Sequence, residues 1–296
     1  MKPLPAFRPG SSWNRIAVLV LLLGWVRAVA ETSAADRLGW KLAMHSYTLK
    51  KFPIEEAIDK SAELGLRYMS LSGSVSWDGK VRTNTTTMSD ADWERIRGRL
   101  AAKGIVGLVN IGVVSLTTNE ASDRKIFEFA RKAGVDTLVA EPPPEALDLV
   151  ERLCKEYRIK VAIHNHPKPS HYWNPQTVLD AVKNRGPWMG SCADVGHWMR
   201  SGLDPLACLK LLEGRVICLH FKDLTERDPE AHDVPWGTGK SNVRALMEEL
   251  KRQHFHGAFC IEYEYHWETS LPEIAECIQF FNKTCVELAA DLPAVK

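Results

Sequence analysis

The sequence predicts a single (β/α)8 TIM barrel, the α/β fold in which a parallel sheet closes on itself. Two observations support this prediction. Short apolar, β-rich runs alternate eight times with segments of helical periodicity. The part of the chain that follows residue 30 provides roughly 33 residues for each strand–helix unit, which is the size that eight such units require.

The predicted strands are brief apolar runs bounded by polar or turn residues. An open, doubly wound sheet would show the same alternation, but no glycine-rich phosphate loop follows the first strand. The closed barrel is therefore preferred, and one domain is sufficient because no low-complexity linker interrupts the chain. The eight strands are predicted at residues 41–47, 67–72, 105–111, 136–141, 159–164, 189–194, 215–221 and 257–263.

Helical segments connect these strands. Ser89 and Ser241 are predicted N-caps because each precedes a helical pattern. Several glycines stand where a helix should end and the next strand begin, and there we expect left-handed C-caps. The clearest helices are predicted at residues 54–64, 90–102, 144–157, 242–253 and 271–289, and the glycines are Gly65, Gly104, Gly134, Gly214 and Gly257.

The first 30 residues predict a signal peptide. Basic residues precede an apolar run of 11 residues at 16–26, which is too short to cross a bilayer. The sequence Ala28-Val29-Ala30 then resembles a cleavage site. We expect a mature domain of residues 31–296, exported to a periplasm or secreted, with no stable membrane insertion after cleavage. An uncleaved anchor is the alternative.

Composition limits the classes of partner. Apolar residues make up 45% of the chain and charged residues 25%, which excludes a disordered or collagen-like protein. After residue 30 the chain has 34 basic and 37 acidic residues, a net charge of −3 with neutral histidines. This charge argues against binding to nucleic-acid phosphates and favours a small-molecule partner. The oligomeric state is left open.

The seven cysteines show no CxxC spacing. Cys192, Cys218 and Cys260 each precede a strand-terminal polar residue by two positions, so each should lie on the same side of its strand, about 6–7 Å deeper. We interpret them as a layer of small buried residues. Thiolate ligation and disulfide bonds are the alternatives.

Four predicted strands end in side chains that can bind a metal ion. The active site of such a barrel lies at the carboxyl ends of its strands, so all four can face one mouth. Three carboxylates and an imidazole suit one divalent ion, with Mn²⁺ favoured and Mg²⁺, Co²⁺ or Zn²⁺ as alternatives. The predicted ligands are Glu141, Asp194, His220 and Glu262.

The order of these motifs resembles that of a known family. The matching pieces are VAEP at Glu141, VAIHNH at His164, ADVGHW at Asp194, HFKD at His220, HDVPWGTGK, and CIEYE at Glu262. Together they resemble the xylose-isomerase-like TIM barrels, the sugar phosphate isomerase/epimerase group that also contains the AP endonucleases of family 2. The resemblance covers residues 41–289.

The resemblance implies roles for individual residues. Glu141 and Glu262 would flank the substrate carbon, while also binding the ion with Asp194 and His220. His197 would donate a hydrogen bond to a substrate oxygen. Two departures weaken the match to free-ketose epimerases: the second strand ends in Ser-Leu-Ser-Gly without a carboxylate, and Glu226 stands where an arginine is common.

The remaining polar candidates have two interpretations each. His164 and His166 would bind substrate or a second ion, or lie solvated in a loop. His45 would bind substrate from the first strand, or serve a structural role. Lys222 would neutralise an enolate or a substrate carboxylate, or form only a salt bridge to Asp223.

Tryptophans follow four successive strands. Aromatic faces suit the apolar C–H faces of sugar rings, and we expect Trp198 and Trp236 to contact a carbohydrate. Packing of the loops above the barrel is the alternative. The four residues are Trp173, Trp198, Trp236 and Trp267.

The predicted function is a metal-dependent sugar isomerase or epimerase that abstracts a proton next to a carbonyl. The alternatives are an exported lyase or hydratase that acts on keto-glycosides by the same enolate chemistry, and a non-catalytic sugar-binding barrel. An AP endonuclease is disfavoured because the second and third strands end without histidines.

Overall fold

The computed structural model describes residues 33–292 and contains a closed barrel of eight parallel strands. The predicted fold is confirmed. The predicted signal peptide and its cleavage site lie outside the described residues and stay a prediction. In their order around the barrel the strands are β1 (Trp40–His45), β2 (Tyr68–Leu71), β5 (Gly107–Val114), β6 (Thr137–Ala140), β7 (Lys160–His164), β8 (Met189–Asp194), β9 (Val216–Phe221) and β10 (Gly257–Ile261).

A small hairpin that the sequence patterns did not predict follows β2. Its strands β3 (Ser74–Ser76) and β4 (Arg82–Asn84) pair antiparallel. Gly73 allows the hairpin to cross close to the next barrel strand, because a Cβ there would lie 1.9 Å from the carbonyl oxygen of Val113. The hairpin therefore lies beside the mouth of the barrel.

Helices cover the outside of the barrel. Ser89 caps its helix as predicted, since its Oγ accepts a hydrogen bond from the Asp92 N–H. Ser241 does not cap the ninth helix: Asn242 holds that position, with φ of 53°, and Ser241 Oγ accepts from the Leu224 N–H. The helices are α1 (Ala34–Arg37), α2 (Ile54–Glu63), α3 (Asp90–Ala102), α4 (Glu120–Ala133), α5 (Leu147–Tyr157), α6 (Pro175–Val182), α7 (Val195–Arg200), α8 (Pro205–Leu211), α9 (Val243–Arg252) and α10 (Leu271–Leu288).

Of the five predicted C-cap glycines, four have the expected left-handed backbone, with φ between 71° and 78°. Gly257 does not. It begins β10, and a Cβ there would lie 2.5 Å from the Ile217 carbonyl oxygen, so close strand packing explains this glycine.

Two apolar layers hold the barrel together. The larger lies between the strands and the helices and includes Trp40, Phe221, Phe259 and Phe281. The smaller fills the barrel interior and contains the three strand cysteines together with Ala43, Val139, Ala162 and Ala258. All seven cysteines are buried and free, in agreement with their interpretation as small core residues. Within the described residues, no helix has both the length and the apolar character needed to span a membrane.

Candidate metal centre and active site

Four buried side chains converge at the carboxyl ends of neighbouring strands. His164 ends β7, Asp194 ends β8, His220 lies in β9, and Glu262 follows β10 directly. One donor atom from each lies within 4.8 Å of the donors of the other three. Strand register sets part of this arrangement, because Asp194 pairs with His220 and His220 pairs with Cys260 across the sheet.

Several polar atoms of this cluster lack hydrogen-bond partners. His164 Nε2, both ring nitrogens of His220 and Glu262 Oε2 are buried without one. His220 Nδ1 and Glu262 Oε2 are 2.9 Å apart, yet not in hydrogen-bonding geometry. Such atoms are costly to bury unless they bind something. Two imidazoles and two carboxylates fit a divalent metal ion, so His164, Asp194, His220 and Glu262 could hold one.

This cluster differs from the predicted ligand set in one residue. It contains His164, whereas Glu141 forms a second group with His164 and His166. Glu141 Oε1 accepts from His164 Nδ1 at 2.9 Å, from the His166 N–H at 3.1 Å and from His166 Nδ1. Its Oε2 accepts from Ser170 Oγ at 2.9 Å. Both oxygens therefore already accept hydrogen bonds.

The histidines predicted to bind substrate have different environments. His164 is buried and His166 is half exposed, although Glu141 contacts both. Burial lowers the pKa of His164, but the nearby carboxylates of Asp194 and Glu141 outweigh this effect and raise the pKa to about 9. A histidine must be neutral to bind a metal, so a metal ion and a proton compete for His164 Nε2.

His45 lies beside the cluster at the end of β1. Its Nε2 is 3.6 Å from Glu262 Oε1, and its Nδ1 is 2.8 Å from Ser70 Oγ. The Ser70 hydroxyl donates to Asn110 Oδ1, so it must accept from His45 and place the imidazole proton on Nδ1. Burial and the nearby His220 lower the pKa of His45 to about 3, which leaves Nε2 as a free acceptor that faces Glu262.

Lys222 supplies positive charge next to the cluster. Its fully buried ammonium lies 2.8 Å from Asp194 Oδ2, 2.8 Å from Glu262 Oε2 and 2.9 Å from Glu264 Oε2. Burial lowers its pKa, but these carboxylates outweigh burial and raise the pKa well above its ordinary value. The alternative salt bridge to Asp223 is not formed, since the Asp223 carboxylate accepts backbone N–H groups of residues 237, 239 and 241.

A cavity of about 620 Å³ opens above these residues, and we call it the mouth cavity. His197 lines it, with its Nε2 3.5 Å from Asp194 Oδ2. Burial lowers the pKa of His197 to about 3, so its ring is neutral and can donate a hydrogen bond. The other lining residues include His45, His164, His166, Glu262, Glu264, Arg200 and Tyr47.

Two tryptophans expected to contact sugar lie elsewhere. Trp198 and Trp236 are 0% and 3% exposed and belong to the outer core, where Trp236 packs edge-on against Phe221. This corrects their predicted role in substrate binding. Trp267 is partly exposed and contacts Tyr47 near the mouth, and Trp173 packs under Lys168.

Sequence reasoning missed Glu264 and Arg200. Glu264 accepts hydrogen bonds from Lys222 and Arg200, and both residues line the mouth cavity. Glu264 stands two positions after Glu262, and this spacing was the available signal, since alternate residues of an extended segment share a side.

A family model of the xylose isomerase-like TIM barrel matches residues 58–284. The chain belongs to this family. The matched segment contains all four residues of the candidate metal centre, whereas His45 precedes it.

Individual relatives agree on the fold. A solved structure of an uncharacterised protein from Parabacteroides distasonis is 34% identical, with a TM-score of 0.65, over 83% of this chain and 99% of that one. A xylose isomerase-like TIM barrel protein from Mycobacterium smegmatis, solved in complex with magnesium, is 16% identical, with a TM-score of 0.66, over 87% and 99% of the two chains.

A shorter match is to a protein whose name describes an epimerase. SgbU of Escherichia coli K12, a candidate L-ribulose-5-phosphate 3-epimerase, is 34% identical over 80 residues. These residues are 26% of this chain and 28% of that relative, so the match spans under a third of the curated protein.

Proposed function

We propose that this protein is a divalent-metal-dependent sugar isomerase or epimerase that abstracts a proton from a carbon next to a carbonyl. The observation that carries the proposal is the asymmetric environment of Glu262. Its Oε2 faces His220 and Lys222, while its Oε1 faces the neutral His45. Oε2 thus lies against the Lys222 ammonium and a candidate metal ligand, whereas Oε1 is available to take a proton.

The electrostatics of the site keep Glu262 ready as a base. Burial raises its pKa, but His220 and Lys222 outweigh burial and hold the pKa well below its ordinary value. The carboxylate is therefore ionised at neutral pH. His45 Nε2, 3.6 Å from Oε1, can receive the abstracted proton and return it, because its tautomer is fixed by Ser70.

His164, Asp194, His220 and Glu262 would hold the ion. A bound divalent ion would polarise the sugar carbonyl and so acidify the adjacent C–H bond. Lys222 adds a fixed positive charge near the same carboxylates, and His197 is placed to orient a substrate hydroxyl from the wall of the mouth cavity. These groups are buried and already ordered, which is the arrangement that electrostatic catalysis requires.

The position of Glu141 favours a single carboxylate base. Both of its oxygens accept hydrogen bonds from His164, His166 and Ser170, so it does not oppose Glu262 as a second base. Return of the proton by the same group to the neighbouring carbon is isomerisation. Epimerisation would need a second carrier on the opposite face, for which His166 and His197 are the candidates in the cavity wall.

The second candidate is a lyase or hydratase that acts on keto-glycosides. One observation favours it: the mouth cavity shares Tyr47 with a further cavity of about 610 Å³, so there is room for a leaving group beyond the ring that reacts. Both candidates begin with the same proton abstraction, and they differ in whether a carbon–oxygen bond then breaks.

Proton NMR in D₂O tests the proposal. The protein, loaded with Mn²⁺ and then separated from free metal, is incubated with a panel of aldoses, ketoses and 3-keto-glycosides. We expect deuterium at a carbon next to the carbonyl in at least one compound, with an isomer as product for the first candidate and an eliminated alcohol for the second. Absence of exchange across the panel would contradict both.

Glu262→Gln provides the matched test of the base. The substitution keeps the size and one oxygen donor, and we expect the exchange rate to fall by about 10²–10⁴-fold. Glu276→Gln, the same change at an exposed position in α10, should retain the wild-type rate. Equal rates in Glu262→Gln and wild type would remove Glu262 from the mechanism.

A further inference from the structure

A second cavity adjoins the mouth cavity, and we call it the outer cavity. It measures about 610 Å³, and its lining residues are Tyr47, Lys50, Lys51, Asp78, Gly79, Lys80, Arg82 and Glu268. We propose that the outer cavity is a subsite for an anionic sugar unit, one that carries a carboxylate or a sulfate ester and is attached to the sugar that reacts. This inference rests on the proposed function for the identity of the reacting sugar.

The two cavities are neighbours, since Tyr47 lines both. Ser72 and Ser74 line the mouth cavity and accept hydrogen bonds from Arg82 of the outer cavity, at 3.1 Å from Nη2 and 3.0 Å from Nε. A ligand can therefore extend from Glu262 past Tyr47 without leaving the protein surface. A single monosaccharide would leave the outer cavity unused.

Tyr47 lines the outer cavity, and Trp267 packs against this tyrosine. Tyr47 and Trp267 lie edge to face, with ring centroids 5.8 Å apart. Lys50 Nζ lies 3.5 Å from the Trp267 centroid and 4.2 Å from the Tyr47 centroid, and it donates to the Tyr47 hydroxyl at 3.0 Å. The two rings therefore hold the Lys50 ammonium by cation–π contacts, and this lysine places a positive charge at the wall of the outer cavity.

Arg82 faces the same space from β4. Its guanidinium is half-buried, and burial lowers its pKa. It bonds only to Ser72 and Ser74, with its Cζ 5.2 Å from the Tyr47 ring, and within residues 33–292 no carboxylate pairs with it. Because Nε and Nη2 are bonded to the two serines, Nη1 of this half-buried guanidinium is the group that can donate to a carboxylate or sulfate.

The charge of the outer cavity is positive overall. Four cationic side chains line it, against the carboxylates of Asp78 and Glu268. Asp78 is already engaged, since its Oδ1 accepts from Ser76 Oγ at 3.0 Å and from two backbone N–H groups at 2.8 Å. It therefore holds the β3–β4 turn and does not neutralise Arg82 or Lys50. An anion is the complement to such a surface.

Calorimetric titration with three matched methyl glycosides tests the subsite. Methyl β-D-glucuronide, methyl β-D-glucoside and methyl β-D-glucoside 6-sulfate differ only at carbon 6. We expect the wild type to bind at least one anionic glycoside about tenfold more tightly than the neutral one. The anion that is preferred identifies a uronate or a sulfated sugar as the natural unit.

Two substitutions test which side chains produce the preference for the anionic glycoside. Arg82→Met and, independently, Lys50→Met should each reduce the preference for the anion while keeping the affinity for the neutral glycoside. Lys41→Met removes the same charge from the exposed start of β1 at the opposite end of the barrel, and it should behave as wild type. Two separate variants ensure that the test does not depend on one of them folding.

The glycoside titration can fail or succeed independently of the deuterium-exchange test of the proposed function. Glu262→Gln should keep the preference for the anionic glycoside, because the base lies outside the outer cavity. Equal affinities of the wild type for all three glycosides, no measurable binding of any, or an unchanged preference in both Arg82→Met and Lys50→Met would overturn the proposal. A failure of the deuterium exchange alone would leave it standing.

Discussion

His164 Nδ1 donates a hydrogen bond of 2.9 Å to Glu141 Oε1, while Nε2 of the same ring faces Asp194 Oδ2 at 3.5 Å. The ring thus connects an outer carboxylate with the candidate metal centre. Carboxylates that bind the second nitrogen of a metal-binding histidine fix its tautomer and its orientation. Glu141 is therefore a positioning residue in this account, and His164 is the ligand.

Glu141→Gln tests this division of roles. The amide cannot match the charge of the carboxylate, so the imidazole becomes less basic and less well oriented. We expect the metal affinity to fall about 10–100-fold while saturation still reaches one ion per chain. Competition titration against a chromogenic chelator measures both quantities, with Glu145→Gln, exposed in the following turn, as the control. An unchanged affinity would show that Glu141 does not act through His164.

Lys222→Met should destabilise the metal-free protein strongly. The substitution leaves Asp194 and Glu262 buried without the ammonium that lies 2.8 Å from each. Removing one partner of a buried ion pair typically costs about 3–5 kcal/mol in the free energy of unfolding. Saturating metal should recover part of this loss, because the ion supplies positive charge to the same oxygens.

Urea denaturation with and without metal measures this effect. Lys125→Met, an exposed change in α4, is the control. Exposed ion pairs contribute below about 1 kcal/mol to the free energy of unfolding. A loss in this range in metal-free Lys222→Met would contradict the electrostatic role assigned to Lys222.

Three of the four candidate ligands could be predicted because strand ends are visible in the sequence. Asp194, His220 and Glu262 each close an apolar run, and the carboxyl ends of parallel strands meet at the active-site edge. The fourth, Glu141, stays a prediction: it and His164 close equivalent runs, and the donor atom of His164 lies within 4.8 Å of those of the other three. Sequence alone does not show that Glu141 accepts hydrogen bonds from His164 and His166.

The tryptophans show a second limit. Trp198 and Trp236 follow strands, as Trp267 does, and the sequence pattern does not distinguish them. In the structure α7 begins directly after β8 and Trp198 packs into the outer core, whereas Trp267 lies in the loop after β10 and contacts Tyr47. Tertiary packing determines which tryptophans are buried, and the periodicity of such short helices is not sufficient to predict it.

Two glycine substitutions should change stability in opposite directions. A Cβ on Gly196 would lie 2.7 Å from Lys222 Cδ and 2.9 Å from Lys222 Cβ, so Gly196→Ala should cost about 1–3 kcal/mol. A Cβ on Gly98, within α3, would meet nothing within 4 Å. Gly98→Ala should therefore stabilise the protein by about 0.4–1 kcal/mol. Denaturant midpoints compare the two, and equal effects would contradict the packing of Lys222 against α7.

The cysteines should be chemically inert in the folded protein. All seven are buried and free, and burial raises the pKa of Cys154 and of Cys208 to about 12, so little thiolate forms at pH 8. Ellman's reagent should label none of them in the native protein and all seven in guanidinium chloride without reductant. Fewer than seven after denaturation would indicate disulfide bonds and contradict the interpretation of the cysteines as core residues.

The candidate metal centre is tested most directly by titration of the metal-free protein with Co²⁺, followed by visible absorption and elemental analysis. We expect one ion per chain in the wild type, one in Glu141→Gln at lower affinity, and none at the same concentrations in His164→Ala, although all three proteins remain folded. Full cobalt binding by His164→Ala together with complete loss in Glu141→Gln would contradict this ligand set and make Glu141 a ligand.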